Sequence, residues 1–250
     1  MVGLKALLFD LDGTLAETEE LHREAFNRAF REAGLPFLWD RSLYKALLQV
    51  AGGKERIAHF LHTCPGCPRL SQEELLRLHR RKNALYAALL REEGVPLRPG
   101  VRRLLLEAKG AGLALALVTT TSPENVRAFL EASGLEGVFD LVLAGDVVPR
   151  KKPDPAIYRL ARAELGLREG EGVTVEDSRN GLLSARGAGL PVLVTPGLYT
   201  ADQDFSEALA VVEHLGEPGH LARFLRGPRA GRLGMVDLDY LEEVVAWWST

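Results

Sequence analysis

Two carboxylates stand two residues apart, Asp10 and Asp12, at the end of an apolar run and just before Gly13 and Thr14. Carboxylates this close repel each other unless a cation lies between them. Mg2+ prefers oxygen ligands and takes one or two carboxylates together with phosphate oxygens and waters. Three further polar sets come after apolar runs: Thr119 with Thr120, Lys152 just before Pro153 in the loop after the third core strand, and Glu176 with Asp177. A carboxylate nucleophile, a second carboxylate, hydroxyls, a lysine and further metal ligands make an inventory for phosphoryl transfer. An aspartate can form a covalent aspartyl phosphate. A second carboxylate can protonate the leaving oxygen and then activate water. A lysine offsets the charge shared by nucleophile and phosphate. Each piece alone has a plainer reading: a calcium-binding turn at 10–14, a satisfied strand end at Thr119, a solvated loop lysine at 152, a helix start favoured by its dipole at 176–177. The four together, in this order and each after a strand, carry the chemical reading.

Those residues need a scaffold that brings them together. Leu4 to Phe9 reads as a buried parallel strand. From Thr18 to about Glu93 the pattern is helical, with Leu21, Ala25, Ala29 and Phe30 on one face and Leu75, Leu78, Leu85 and Leu89 on another. Strands and helices then alternate. Strands are expected at Leu113–Val118, Leu141–Leu143, Val173–Val175 and Val192–Val194. Helices are expected at Val101–Lys109, Pro123–Ser133, Pro155–Leu165 and Asn180–Ala188. The rhythm predicts an α/β fold, a doubly wound parallel sheet covered on both faces. The expected division is a core of residues 1–16 and 95–250 with an inserted small α-helical cap domain at 17–94. Residues 228–234 read as a linker or turn, and Val236–Trp248 as a closing helix that packs on its own core. In an open parallel sheet ligands bind beyond the carboxyl ends of the strands, where these polar groups all fall.

Composition narrows the setting. With 250 residues, 46% hydrophobic and 26% charged, the chain can bury a large core without disulfides. The formal charge of -3 and the lack of a basic patch argue against nucleic acid. Asp10 and Asp12 interrupt the first apolar run too early for a signal peptide, and no run is long enough to span a bilayer. A cytoplasmic monomer acting on a small molecule is expected. The only cysteines, Cys64 and Cys67, read as a surface turn between helices with room for a local disulfide. A redox pair or half of a zinc site would need context that the sequence lacks.

At this point the chain resembles the haloacid dehalogenase superfamily over essentially its whole length. The first motif is matched by residues 9–15, the second by Thr119 after residues 115–118, the third by Lys152 and the fourth by residues 176–181. The resemblance implies that Asp10 is the nucleophile and a Mg2+ ligand. Asp12 would be the general acid/base, binding Mg2+ through its carbonyl. Thr119, Thr120 and Lys152 would bind the phosphoryl group, with Glu176 and Asp177 completing the metal site. The name-giving dehalogenases lack the second aspartate, so Asp12 favours phosphate chemistry. The insert resembles the cap of the β-phosphoglucomutase-like branch. Residues 16–22, 52–54, 98–101, 144–146, 151–155 and 202–205 resemble the CbbY-like xylulose-1,5-bisphosphate phosphatases within it. By that resemblance Glu17, His22 and Lys54 are candidate substrate and cap residues, with Lys54 meeting a second phosphate.

Other readings stay open from sequence. A mutase of the β-phosphoglucomutase type would use the same aspartates and return the phosphoryl group to sugar. A general sugar-phosphate phosphatase needs no second phosphate site. A signalling receiver also combines an acidic pair, a Thr and a Lys on a doubly wound sheet, but the helical insert and Asp12 count against it.

Overall fold

The computed structural model describes residues 3–248. Strand β1 (Ala6–Phe9) is followed by four helices, α1 (Glu19–Glu32), α2 (Arg41–Leu47), α3 (Gly53–Thr63) and α4 (Gln72–Glu93). Then come α5 (Val101–Gly110), β2 (Ala114–Val118), α6 (Pro123–Ser133), β3 (Leu141–Leu143), α7 (Ala156–Glu164), β4 (Gly172–Glu176), α8 (Arg179–Gly187) and β5 (Val192–Val194). The chain finishes with β6 (Ala210–Val212), β7 (Ala222–Arg226), β8 (Leu233–Gly234) and α9 (Leu238–Trp248). No helix among the described residues is long and apolar enough to cross a membrane.

The eight strands form one sheet in the order β3-β2-β1-β4-β5-β6-β7-β8. Pairing is parallel from β3 through β6 and antiparallel beyond. Period-two alternation feeds both faces. Leu7, Phe9, Leu115, Leu117, Val173 and Val175 pack on one side, and Ala6, Leu8, Ala116 and Val118 on the other. This two-sided burial is why the strands read as near-continuous apolar runs. The chain runs outward from β1 through β2 to β3 and then restarts on the other side of β1 at β4. The carboxyl ends flanking that reversal form the crevice where such folds bind ligands.

The inserted helices have a core of their own, centred on Phe26, Phe30, Trp39 and Tyr44. The Phe26 and Trp39 ring centroids are 4.7 Å apart, and those of Phe30 and Trp39 4.8 Å, the spacing at which ring pairs add to simple burial. A capping box starts α4: Ser71 Oγ accepts from the Glu74 N–H while the Glu74 carboxylate accepts from the Ser71 N–H. Cys64 and Cys67 form a disulfide in the loop between α3 and α4.

Strands β6, β7 and β8 lie outside the sequence expectation, which ended the sheet at β5. They are short, and in β7 the outward positions include Leu225 as well as Arg223, so the alternation is blurred. The expected linker at 228–234 is the turn joining β7 to β8, together with all of β8 itself. Helix α9 starts two residues later than expected and buries Tyr240, Leu241 and Val244 against the core beside α5.

Candidate active site

Register fixes the centre of the site. Phe9 lies opposite Leu117 on β2 and Val175 on β4. Asp10, Thr119 and the Glu176–Asp177 pair therefore leave neighbouring strand ends together. The Asp10 N–H donates to Val175 O at 3.0 Å and the Thr119 N–H to Leu143 O at 2.9 Å, anchoring both at the sheet edge of the crevice.

Lys152 is the hub. Its Nζ lies 2.7 Å from Asp10 Oδ1, 2.6 Å from Glu176 Oε1 and 2.9 Å from Val118 O. The Tyr158 hydroxyl donates to the same Glu176 oxygen at 2.5 Å. Burial alone would push the ammonium down, but Asp10 and Glu176 outweigh it and hold it well above its ordinary value. It stays charged throughout the physiological range. Glu176 lies against the start of α8, where a Cβ on Gly181 would sit only 1.8 Å from Glu176 Oε2. That glycine leaves room for the carboxylate.

Asp12 is held at both oxygens. Thr18 Oγ1 donates to Oδ1 at 2.5 Å, His22 Nε2 donates to the same oxygen at 3.0 Å, and Thr121 Oγ1 donates to Oδ2. Burial raises the Asp12 carboxyl, yet His22 and these hydrogen bonds outweigh it and hold it well below the usual range. His22 itself is pushed down by burial and by Lys82, while Asp12 opposes that shift. With Nε2 donating to the carboxylate, Nδ1 accepts from Lys82 Nζ at 2.7 Å. His22 also stacks on Tyr86, with ring centroids 3.9 Å apart. The result is a line from α4 through α1 to Asp12.

The donor set fits a hard divalent cation. Carboxylate oxygens of Asp10, Glu176 and Asp177 lie within 4.8 Å of one another and all three residues are buried. Burial, followed by neighbouring carboxylates, drives Asp177 well above the usual carboxylate range; Asp10 is raised by burial despite Lys152. Glu176 Oε2 is buried without a hydrogen-bond partner. A cation would relieve all three, and the all-oxygen chemistry suits Mg2+. Gly13 shapes the space beside it. Its φ of 81° is a conformation glycine adopts freely, and a Cβ there would lie 2.4 Å from Asp177 Oδ2.

The remaining candidates are spread around the crevice. Thr119 is buried and its Oγ1 accepts from the Thr121 N–H at 3.1 Å, while Thr120 lines the pocket with Asp10 and Asp12. Lys54 reaches across from the cap to Asp146 at 2.5 Å and lines a neighbouring cleft with His79 and Lys151. Glu17 turns to the 198 loop, accepting from the Leu198 N–H at 3.1 Å and pairing with Arg98. Four residues join the site that sequence reading did not single out: Thr18, Arg56, Lys82 and Thr121. Arg56 is buried, lines the Asp10 pocket and donates to the Tyr44 hydroxyl at 3.0 Å. Lys82 carried a signal, since it interrupts an apolar stripe at the helical spacing of Leu78 and Tyr86. Arg56 and Thr121 lie one or two residues beyond positions already chosen. Thr18 was legible only as a helix start.

A family profile described as haloacid dehalogenase-like hydrolase matches residues 4–189. Protein CbbY of Cereibacter sphaeroides is 47% identical over 222 residues, which are 88% of this chain and 96% of that one. The plasmid-borne protein CbbY of Cupriavidus necator is 44% identical over 223 residues, 86% and 87% of the two chains. The crystal structure of a mutant CbbY from Rhodobacter sphaeroides in complex with xylulose-(1,5)bisphosphate superposes with a TM-score of 0.83 at 46% identity. It covers 86% of this chain and 96% of that one.

Proposed function

This chain belongs to the haloacid dehalogenase-like hydrolases, and from that premise we propose that it is a Mg2+-dependent phosphatase acting on xylulose 1,5-bisphosphate through an aspartyl phosphate on Asp10. The observation that supports the chemistry most directly is the separate seating of the two aspartates. Asp10 faces a cation, Lys152, and the oxygen cluster suited to a metal. Asp12 is tied by three donors at its two carboxylate oxygens and stands outside the cluster of Asp10, Glu176 and Asp177. Such a division of environments supports the reading in which one carboxylate makes the nucleophilic attack and the other transfers protons.

The chain's own residues account for each step. Thr119, Thr120 and Lys152 hold the transferring phosphoryl group at the strand ends. Asp10 attacks phosphorus, the phosphorus–oxygen bond to the sugar breaks, and the leaving sugar oxygen takes a proton from Asp12, whose resting carboxylate has first to take that proton up from solvent as the substrate binds. Asp12, ionised again, takes a proton from water; the hydroxide oxygen attacks the aspartyl phosphate, and phosphate leaves with Asp10 restored. Mg2+ held by Asp10, Asp177 and the Asp12 carbonyl, with Glu176 beside it, would neutralise the gathered charge. Arg56 and Lys54 on the cap supply cations for the second phosphate of a bisphosphate. The likeness to CbbY, whose mutant was crystallised with that compound, supports the substrate.

The test is Mg2+-supported phosphate release from a panel containing xylulose 1,5-bisphosphate, ribulose 1,5-bisphosphate and β-glucose 1-phosphate. Marked selectivity for the first supports the reading. Equal turnover of monophosphates sinks the substrate assignment, and a requirement for a glucose bisphosphate activator moves the enzyme to the mutases. Asp10→Asn should lower turnover at least ~1,000-fold, the scale of losing a covalent nucleophile, with an unchanged circular dichroism spectrum. Full activity in that variant would overturn the mechanism.

A further inference from the structure

Arg98 lies on the linker that returns from the cap to the core, outside every role described so far. The two linkers run side by side: Ala16 and Leu97 form an antiparallel bridge, and the Arg98 N–H donates to Leu15 O at 2.8 Å. From there the Arg98 side chain goes inward and is largely buried. Nη1 donates to Gly13 O, to Thr195 O at 2.7 Å and to Thr195 Oγ1 at 3.2 Å. Nη2 donates to Pro196 O at 2.8 Å and Glu213 O at 3.1 Å. Nε lies 3.4 Å from Glu17 Oε1. One planar fork thus collects the first linker, the turn after β5 and the end of β6. Only arginine offers donors enough in a fixed plane.

The clamped backbones are those that enclose Asp177. A Cβ on Gly13 would strike Asp177 Oδ2, and one on Gly197 would lie 3.2 Å from Gly13 O and 3.3 Å from Asp177 Oδ2. Thr200 Oγ1 donates to the same Asp177 oxygen at 3.1 Å while accepting from the Gly197 N–H at 2.8 Å. Moving either clamped turn by a few tenths of an ångström therefore moves the wall and the hydrogen bond that aim this carboxylate.

We infer that Arg98 is a positioning residue for the metal site, tying both cap linkers to the two turns that orient Asp177. The inference rests on the reading of Asp10, Glu176 and Asp177 as a Mg2+ site. It makes the stiffness of the cap hinge and the affinity for the cation two aspects of one contact. It also gives Arg98 a role distinct from charge. A guanidinium near Asp177 would by itself repel a cation, so a purely electrostatic part would weaken binding where a clamp strengthens it.

The experiment is calorimetric titration of Mg2+ alone into the full chain, with thermal unfolding in EDTA as the folding control. Wild type should bind one Mg2+; no binding there is a failure of the metal-site reading itself. Arg98→Lys keeps the charge and loses the fork, and should bind Mg2+ about 10-fold or more weakly, the usual cost of removing a residue that orients a metal ligand. Arg103→Lys is the comparison. Arg103 also donates to several backbone carbonyls, those of Leu215, Gly216 and Val236, but away from the site. It should lose thermal stability without a change in Mg2+ affinity. Wild-type affinity in Arg98→Lys overturns the inference, as does an equal loss in Arg103→Lys, or tighter binding in Arg98→Met. Should the Arg98 variants not fold, amide exchange on the wild type decides: Mg2+ should slow exchange at residues 95–100 and 195–200. Protection confined to residues 9–15 and 174–178 overturns the proposal.

Discussion

The chemistry turns on how few cations face many carboxylates. Lys152 is the cation bonded to Asp10, while Glu176 and Asp177 crowd the same place. Removing one partner of a buried ion pair leaves uncompensated charge and costs about 3–5 kcal/mol. Lys152→Met should therefore lose activity and melt earlier in EDTA, with Mg2+ restoring more of its melting temperature than it adds to wild type. Thermal scans with and without the metal check this. Thr121→Val removes the hydroxyl on Asp12 Oδ2 and leaves the carboxylate tied on one side. Losing one hydrogen bond to a charged group is worth about 1.5–3 kcal/mol, so kcat should fall on the order of 10- to 100-fold with little change in KM. Initial-rate kinetics decide it, and an unchanged kcat would remove Thr121 from the proton-transfer machinery. Asp10, Asp12, Lys152 and Asp177 were legible in the sequence because each follows a strand of a parallel sheet, where position and chemistry coincide. Thr121 was not, because three successive threonines look alike until the backbone turns one of them toward Asp12.

At the scale of elements, α4 carries an unusual burden. Lys82 sits among apolar neighbours, with Nζ 4.7 Å from the Phe26 ring centroid, and burial brings it down to about 7. In the unfolded chain a lysine titrates near ~10.4. Between those values the unfolded state binds the additional proton, so this group makes folding more favourable as pH rises from about 7 toward ~10. Below 7 both states are protonated and the penalty is fully present. Lys82→Met should flatten that rise, which urea unfolding of both proteins at pH 7 and pH 9 would measure; an identical slope in the two would refute the assignment. The helices and parallel strands were readable from period and punctuation, since Gly134 ends α6 and Pro123 opens it. The last three strands were not. Two to five residues long, at a sheet edge, they owe their conformation to neighbours such as Val236 and Tyr240 rather than to their own pattern.

For the molecule as a whole, closure is distributed. The cap meets the core through Lys54–Asp146, Lys45–Asp202 and the bond from Asn180 to Gln49 O, through Tyr199 to Glu20, and through Asn83 to Ser122 on the α4–α6 side. Exposed ion pairs are each worth about 0–1 kcal/mol, so neither lysine pair alone holds the cap; Tyr86, Leu89 and Leu90 of α4 add buried apolar contact with the core. The C-terminal helix is a different kind of addition. Val236, Tyr240, Leu241 and Val244 are fully buried, so a chain ended at Gly234 would bare the apolar surface under α9. It should bind a hydrophobic dye, melt at a lower temperature and keep residual phosphatase activity only in the cold. A melting temperature equal to that of the full chain would show α9 to be dispensable. The sheet order has one more consequence, for the ribosome. Strand β1 is made first, yet its partners are β2 and β4, with Phe9 paired to Leu117 and Val175. The segment that carries Asp10 therefore has no partner until β2 (Ala114–Val118) is made and keeps one open side until β4 (Gly172–Glu176) follows, so a nascent chain that lacks β4 has no complete site. Pairings this distant are slow to form and leave sticky surface exposed meanwhile, which makes the emerging N-terminus the stretch where a chaperone would matter most.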